Sequence, residues 1–421
     1  MTETPVIPRA GATRWTCPFC LLLCDTSTVQ VDASGALTLS GAGCACASRA
    51  LARFSARPAT ASPQVEGEDC SLDQAVAAAT RLLAASQQPL FGGLGTDVAG
   101  ARALYRLACR TGAICDAADG AALMHGLRAM QDRGSFFTTL AEVRTRADLL
   151  VCLDGTPTEQ APGFFERCGV GENLVAKRHV VVLGGGASDE AVLAQLRTRP
   201  GVTVESIPLQ GDLFTTVATL SAWVSGRAVR EAPAALKALA TRLQQARYAV
   251  FVGETRKLPA QGALIVEGIH RTVGTLNQTT RAAAMWLGGG NGAGTVNQVF
   301  AWLSGLPLRS RAGPLGLEHE PLCFDAQRLL AGQAVDSLLW VSSFDSDVAP
   351  PPTTVPTVVL GHPDLVGAKA SVFIPVSTPG IGSPGHLFRA DGSVMLPLFA
   401  VYDDTLPTLA SVLDRITKAL A

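Results

Sequence analysis

Pro89-Leu90-Phe91-Gly92-Gly93-Leu94-Gly95 follows a stretch, Leu72 to Leu83, whose apolar residues recur at helical spacing. A helix that hands over to a short apolar run ending in glycines is the repeating unit of a parallel sheet, whose strands are buried on both faces and read as continuous apolar runs. Runs of this kind recur at Asp148 to Asp154, His179 to Leu183, Val202 to Leu209 and Tyr248 to Gly253, and again at Ser337 to Ser343, Thr357 to Leu360 and Ser371 to Val376. Helical stretches separate many of them. The pattern predicts an α/β protein with two doubly wound lobes.

Upstream, Ser27 to Asp32 and Ala36 to Leu39 alternate around Ala33-Ser34-Gly35, which predicts a hairpin, and a link from Arg57 to Pro63 separates it from the lobes. At 421 residues the chain has room for two or three domains of about 100 to 200 residues each. Only 16% of the residues are charged and 48% are hydrophobic, against a usual charged share of about 25%. No apolar run approaches the roughly 18 to 20 residues of a spanning helix, so a membrane is not expected. Met1-Thr2-Glu3-Thr4-Pro5 has neither the basic start nor the apolar stretch of an export signal, and a cytoplasmic protein is expected. Burial against partner subunits then accounts for so apolar a surface, because obligate interfaces resemble a domain core cut in half. A net charge of −1 leaves nucleic acid no electrostatic footprint.

Eleven cysteines in a cytoplasmic chain point to thiolate chemistry or burial rather than to disulfides. Cys17, Cys20, Cys24, Cys44 and Cys46 fall in one stretch; the other six are scattered and read as small core residues. Three thiolates on one turn, closed by a fourth some distance on, suit a four-iron four-sulfur cluster, and zinc would accept the same set. On spacing alone either Cys44 or Cys46 could be the fourth ligand, and the site could also be an empty vestige.

Glycines cluster at Gly92 to Gly95, Gly184 to Gly186 and Gly288 to Gly294, each read as a turn after a strand. Backbone amides at such turns can cradle a phosphate, although tight strand-to-helix turns need glycine for backbone reasons alone. None ends in the Lys-Ser or Lys-Thr of a phosphate-binding loop. His125, in Leu123-Met124-His125-Gly126, stands where a ligand crevice is expected, but no carboxylate near it in sequence would orient it. No hydrolase signature is present.

Several segments carry a more specific pattern: Cys17-Pro18-Phe19-Cys20 to Cys24-Asp25, Cys46-Ala47-Ser48-Arg49, Asp132-Arg133-Gly134 to Val143, Gly292 to Val299 with Gly305-Leu306-Pro307, and Ala370 to Pro375 with Gly385, Phe388-Arg389 and Asp391-Gly392. In these segments, which run through nearly the whole chain, the sequence resembles the metal-pterin (B) chain of tungsten or molybdenum formylmethanofuran dehydrogenase, in the molybdopterin oxidoreductase superfamily. The resemblance implies lobes of molybdopterin-oxidoreductase type. It makes Cys17, Cys20, Cys24 and Cys46 the expected metal ligands, favouring Cys46 over Cys44, and Gly288, Gly290, Gly292 and Asn297 the expected cofactor contacts. With it the chain divides into a cysteine domain over residues 1–56, a discontinuous first lobe over 57–125 plus 296–421, and a second lobe over 126–295.

The departures from that family are at the metal-pterin site. A cysteine or selenocysteine before His-Gly ligates the metal in the dehydrogenases, and here Met124 precedes His125-Gly126. A thioether does not replace a thiolate on a hard, high-valent metal. The family's Gly-x-Asn-Pro is replaced by Asp154-Gly155-Thr156-Pro157, its Asp-Pro-Arg by Gly184-Gly185-Gly186, and a basic residue two positions after the fourth cysteine by Ser48. A bidentate arginine is thereby lost and an anion gained.

These losses make Met124 and His125 vestigial, and no catalytic residue is expected. They align the chain with the B subunits of the bacterial formyltransferase/hydrolase complex of one-carbon metabolism. The resemblance implies a non-redox scaffold without a molybdenum or tungsten pterin. Its implied partners are an amidohydrolase-type A subunit, a C subunit, a formyltransferase D subunit and a methanofuran analogue carried on the complex. The alternatives are an active dehydrogenase subunit, an iron-sulfur electron-transfer module, and a binding module that keeps a glycine-lined crevice for the methanofuran analogue.

Overall fold

The computed structural model describes residues 13–41, 44–57, 60–229 and 233–420. They form two compact units, one of residues 1–120, 289–389 and 394–421, the other of residues 121–288 and 390–393.

The second unit is built on a five-stranded, wholly parallel sheet. In chain order its strands are Leu149–Leu153, Arg178–Leu183, Val202–Ile207, Ala249–Glu254 and Ala282–Leu287. In space they run third, second, first, fourth, fifth. Helices cover them, and Leu149, Val151, Phe251, Leu220, Leu239 and Ile269 share one core. Each such side chain contributes about 1.5 to 3 kcal/mol on burial, which is why the central strands tolerate no polar interruption. Four of the five strands match the sequence runs to within a residue or two. Ala282–Leu287 opens with three alanines, which carry little strand preference; its neighbour Ala249–Glu254 recruits it.

The first unit contains a nine-stranded sheet whose centre is parallel. The five parallel strands are, in chain order, Pro89–Gly95, Ile114–Cys115, Ser337–Ser342, Thr357–Gly361 and Val372–Pro375. They run second, first, third, fourth, fifth in space. Hairpins extend both edges, Ser310–Gly313 with Gly316–His319 at one and Gln64–Val65 with Glu68–Asp69 at the other. The helix Leu72–Ala85 opens with a capping box in which the Ser71 hydroxyl accepts from the Gln74 amide and the Gln74 side chain accepts from the Ser71 amide.

One expectation is corrected. Gly92 to Gly95 are not a turn but the second half of the strand Pro89–Gly95. Trp340, on the neighbouring strand, lies across them, and a Cβ at Gly92 would stand 2.9 Å from its ring. The glycines make room for an indole, not for a phosphate.

The cysteine-bearing segment belongs to the first unit. The predicted hairpin forms between Ser27–Val31 and Leu37–Ser40, with Thr13–Trp15 paired to its other side. Trp15, Cys17, Val29, Leu37 and Leu51 share a small core with Ile381 and Val401, and the Trp15 indole donates to the Gly380 carbonyl at 2.7 Å. Among the described residues no helix is long and apolar enough to cross a membrane.

Candidate functional site

Ligands of open α/β sheets bind outside the carboxyl ends of the strands where the strand order reverses. In the second unit that point lies between Leu149–Leu153 and Ala249–Glu254, and the residues that follow them are Asp154-Gly155-Thr156 and Thr255-Arg256-Lys257. The chain's own groups fill it. The Asp189 carboxylate, in the first turn of the helix Ala187–Arg197, accepts from the Thr156 amide at 2.7 Å, the Thr156 hydroxyl at 2.6 Å and the Gly186 amide at 2.9 Å. Such a helix start, with its free amides and positive dipole end, is where a phosphate would be held. Burial works against the Asp189 charge, but the Thr156 and Gly186 donors hold its carboxyl below the usual range. Gly155 and Gly185 both adopt positive φ, and a Cβ on either would stand about 3 Å from that carboxylate. Beside it, buried Glu254 pairs with Lys257 at 2.5 Å and accepts from the Gln160 amide at 3.2 Å. Burial disfavours the Lys257 charge, and Glu254 outweighs it, raising the lysine's pKa.

In the first unit the strand order reverses between Pro89–Gly95 and Ser337–Ser342. The glycine run docks here. Gly292 adopts φ +77°, and a Cβ on it would collide with the Thr96 carbonyl and stand 3.0 Å from Phe344. Asn291 donates from Nδ2 to the Ser342 hydroxyl at 3.0 Å, while its buried Oδ1 has no partner among the described residues. A half-open pocket of about 270 Å³ adjoins it, lined by Phe19, Cys46, Arg49, Arg53 and Asp345 among others. Asp347 holds Arg53 at 2.6 Å, whereas the Arg49 side chain makes no hydrogen bond or ion pair among the described residues. Behind Phe54, which lines the pocket, His362 accepts from the Asp364 amide and packs edge-on to the Phe54 ring. Burial lowers its pKa, partly offset by the Asp364 carboxylate. The pocket pairs no nucleophile with a base.

At the cysteine loop the Cys17 amide donates to the Cys24 carbonyl at 2.9 Å, closing a turn in which Leu23 adopts φ +45°. The thiols of Cys20 and Cys24 hydrogen-bond to each other, and this contact and then burial push the Cys20 thiol up. Burial raises Cys17. The Cys46 thiol lies 3.7 Å from the Phe19 carbonyl, so it reaches back toward the loop from the helix Ala45–Leu51. Four thiols are near one another, yet among the described residues no three His, Cys, Asp or Glu side chains are grouped to hold a metal ion. The donors are right in kind for iron or zinc.

No family model matches the chain. It is 30% identical over 371 residues to the B subunit of the formyltransferase/hydrolase complex Fhc of Methylorubrum extorquens, covering 85% of this chain and 97% of that one. The chain belongs to the family of formyltransferase/hydrolase complex B subunits. The crystal structure of the FhcABCD complex from that organism with methylofuran contains a chain that superimposes with a TM-score of 0.73 at 29% identity, covering 85% of this chain and 98% of that one. The B subunit of tungsten-containing formylmethanofuran dehydrogenase 2 of Methanocaldococcus jannaschii is 25% identical over 409 residues, 89% of this chain and 90% of that one.

The Methanocaldococcus relative is tungsten-containing, and the residues here do not fit the metal-pterin that the sequence resemblance implies. Met124 is 3% exposed on the helix Gly120–Arg133 and brings a neutral thioether. His125, next to it, packs against the start of the helix Gly262–Leu276, where a Cβ at Gly262 would stand 2.7 Å from its ring. At the Asp189 seat an incoming phosphate would meet a fixed carboxylate, a repulsion of about 4 kcal/mol for unit charges about 4 Å apart at an effective dielectric of about 20. Of the expected cofactor contacts, Gly288 lies in the second unit against Thr255, while Gly290, Gly292 and Asn297 lie in the first. Asn297 accepts from the Leu308 amide at 3.0 Å and so braces the turn after its helix. Asp189, which closes the second-unit crevice, is invisible to motif reading; its signal is an acidic residue three positions after a glycine turn, a common helix-start pattern.

Proposed function

We propose that this chain is a non-redox scaffold subunit of a formyltransferase/hydrolase complex in one-carbon metabolism, assembled with an amidohydrolase-type A subunit, a C subunit and a formyltransferase D subunit, with a methanofuran analogue carried on the complex. The observation that carries the reading is the Asp189 carboxylate seated on the Thr156 and Gly186 donors, where an anionic cofactor would otherwise be anchored. Met124 supports it from the chemistry of the metal. Trp302, Phe399, Leu322 and Met395 expose large apolar surfaces on the first unit, which suits a chain covered by other subunits. In this reading the cysteine segment is structural, packed into the first unit through Trp15, Cys17 and Leu51, and its thiol set is vestigial. Its location is the cytoplasm, in keeping with eleven cysteines kept as thiols.

The test is co-expression of the complex with and without this chain, reading assembly, formyl transfer to the methanofuran analogue, and hydrolysis of the formylated analogue to formate and free analogue. Omitting the chain is expected to break assembly, while Met124→Leu, a volume-conserving change, leaves turnover within about two-fold. A tenfold loss of turnover in an intact Met124→Leu complex would contradict the scaffold reading.

A further inference from the structure

A large cavity of the second unit lies at the opposite edge of its sheet from the Asp189 crevice. It is half-open, about 980 Å³, and runs along the amino-terminal ends of four strands. Lys177 precedes Arg178–Leu183, Asp148 precedes Leu149–Leu153, Arg247 and Tyr248 precede Ala249–Glu254, and Arg281 precedes Ala282–Leu287.

Its charge is unbalanced. Four cations and two carboxylates line it, and both carboxylates are already engaged. Asp148 accepts from the Arg247 and Tyr248 amides at 3.0 and 2.9 Å, and Glu142 sits 3.6 Å from Arg146. The side chains of Lys177, Arg247 and Arg281 are exposed and make no hydrogen bond or ion pair among the described residues. The rim is apolar: Phe136, Phe137 and Leu174 are each half or more exposed. Unpaired cations beside exposed aromatic rings form a surface that a carboxylate-bearing polypeptide with an apolar anchor complements.

We infer that this groove is the docking seat for an acidic segment of another subunit of the complex, with carboxylates on Lys177, Arg247 and Arg281 and an apolar side chain between Phe137 and Leu174. The inference rests on the proposed membership in a complex. The groove is half-open to solvent and spans four strand starts, which suits an extended segment rather than an enclosed small molecule. Attraction of this kind weakens as salt screens it.

The experiment uses the co-expressed complex. The triple variant K177E/R247E/R281E is compared with the unaltered chain by circular dichroism, melting, and retention of partners in a salt series, and the unaltered complex is treated with a zero-length carbodiimide cross-linker. Expected are at least tenfold weaker partner retention by a variant that melts normally, and a cross-link from Lys177 to an Asp or Glu of a partner. Unchanged retention, or cross-linking that never joins Lys177 to a partner, would overturn the inference while leaving the scaffold reading intact. Should the triple variant misfold, the Lys177 cross-link in the unaltered complex decides alone. Failure of the unaltered chain to assemble would overturn both.

Discussion

The Asp189 carboxylate accepts the amide and the hydroxyl of Thr156 together, at 2.7 and 2.6 Å. A helix start at the carboxyl edge of a parallel sheet is an anion site by construction, and here the anion is part of the chain. The two replacements read from the sequence, Asp154-Gly155-Thr156-Pro157 and Gly184-Gly185-Gly186, are the two loops that Asp189 ties together. What looked like separate losses is one closed structure.

Asp189→Asn should destabilise the protein by about 1 to 3 kcal/mol, because an amide must turn its own N–H toward Thr156 or Gly186. The carboxyl's pKa is depressed in the folded state. Its contribution is therefore present above the unfolded value of about 4 and is lost as pH falls through the lower folded value. Melting followed from pH 7 to pH 3 should show a smaller acid-induced decline in the variant than in the wild type.

The glycine run separates backbone need from ligand access. Gly292 adopts φ +77° against the Thr96 carbonyl, so Gly292→Ala should cost on the order of 2 kcal/mol. Gly290 is exposed and meets nothing closer than 3.8 Å, so Gly290→Ala should shift stability by less than about 0.5 kcal/mol. Equal effects in a denaturant titration would contradict the packing account of this run.

Much of this was legible in the sequence, for a physical reason. The parallel strands are buried on both faces, so Leu149–Leu153 is an unbroken apolar run and Thr357–Gly361 is apolar from Val358 to Leu360, and the Ser27–Val31 hairpin shows its turn chemistry. Gly92 to Gly95 misled because glycine has two uses, sharp turns and close approach, and only the position of Trp340 tells them apart. Asp189 was illegible as part of the site because its partners lie a strand away, and the basic groove was illegible because Lys177, Arg247 and Arg281 come from three separate strand starts.

A buried ion pair gives a further test. Asp116 accepts from Arg309 at 3.2 Å and from the Ala326 amide at 2.9 Å, and Arg309 also pairs with Asp325. Asp116→Ala should cost about 3 kcal/mol, at the low end for breaking a buried pair because Asp325 remains. Burial, partly offset by Arg309, raises the Asp116 carboxyl to about 6. An acid raised in the folded state contributes stability that is fully present below about pH 4 and lost as pH rises through about 6, so the difference between wild type and Asp116→Asn should change between those values. A pH-independent difference in melting would contradict this.

The measurement closest to the central claim is metal content by mass spectrometry on the anaerobically purified complex, counted per copy of this chain for molybdenum, tungsten, iron and zinc. With Met124 in place of a thiolate and Asp189 in the anion seat, molybdenum and tungsten are expected far below one atom per chain. Stoichiometric molybdenum or tungsten bound to this chain would contradict the account and make it a redox subunit.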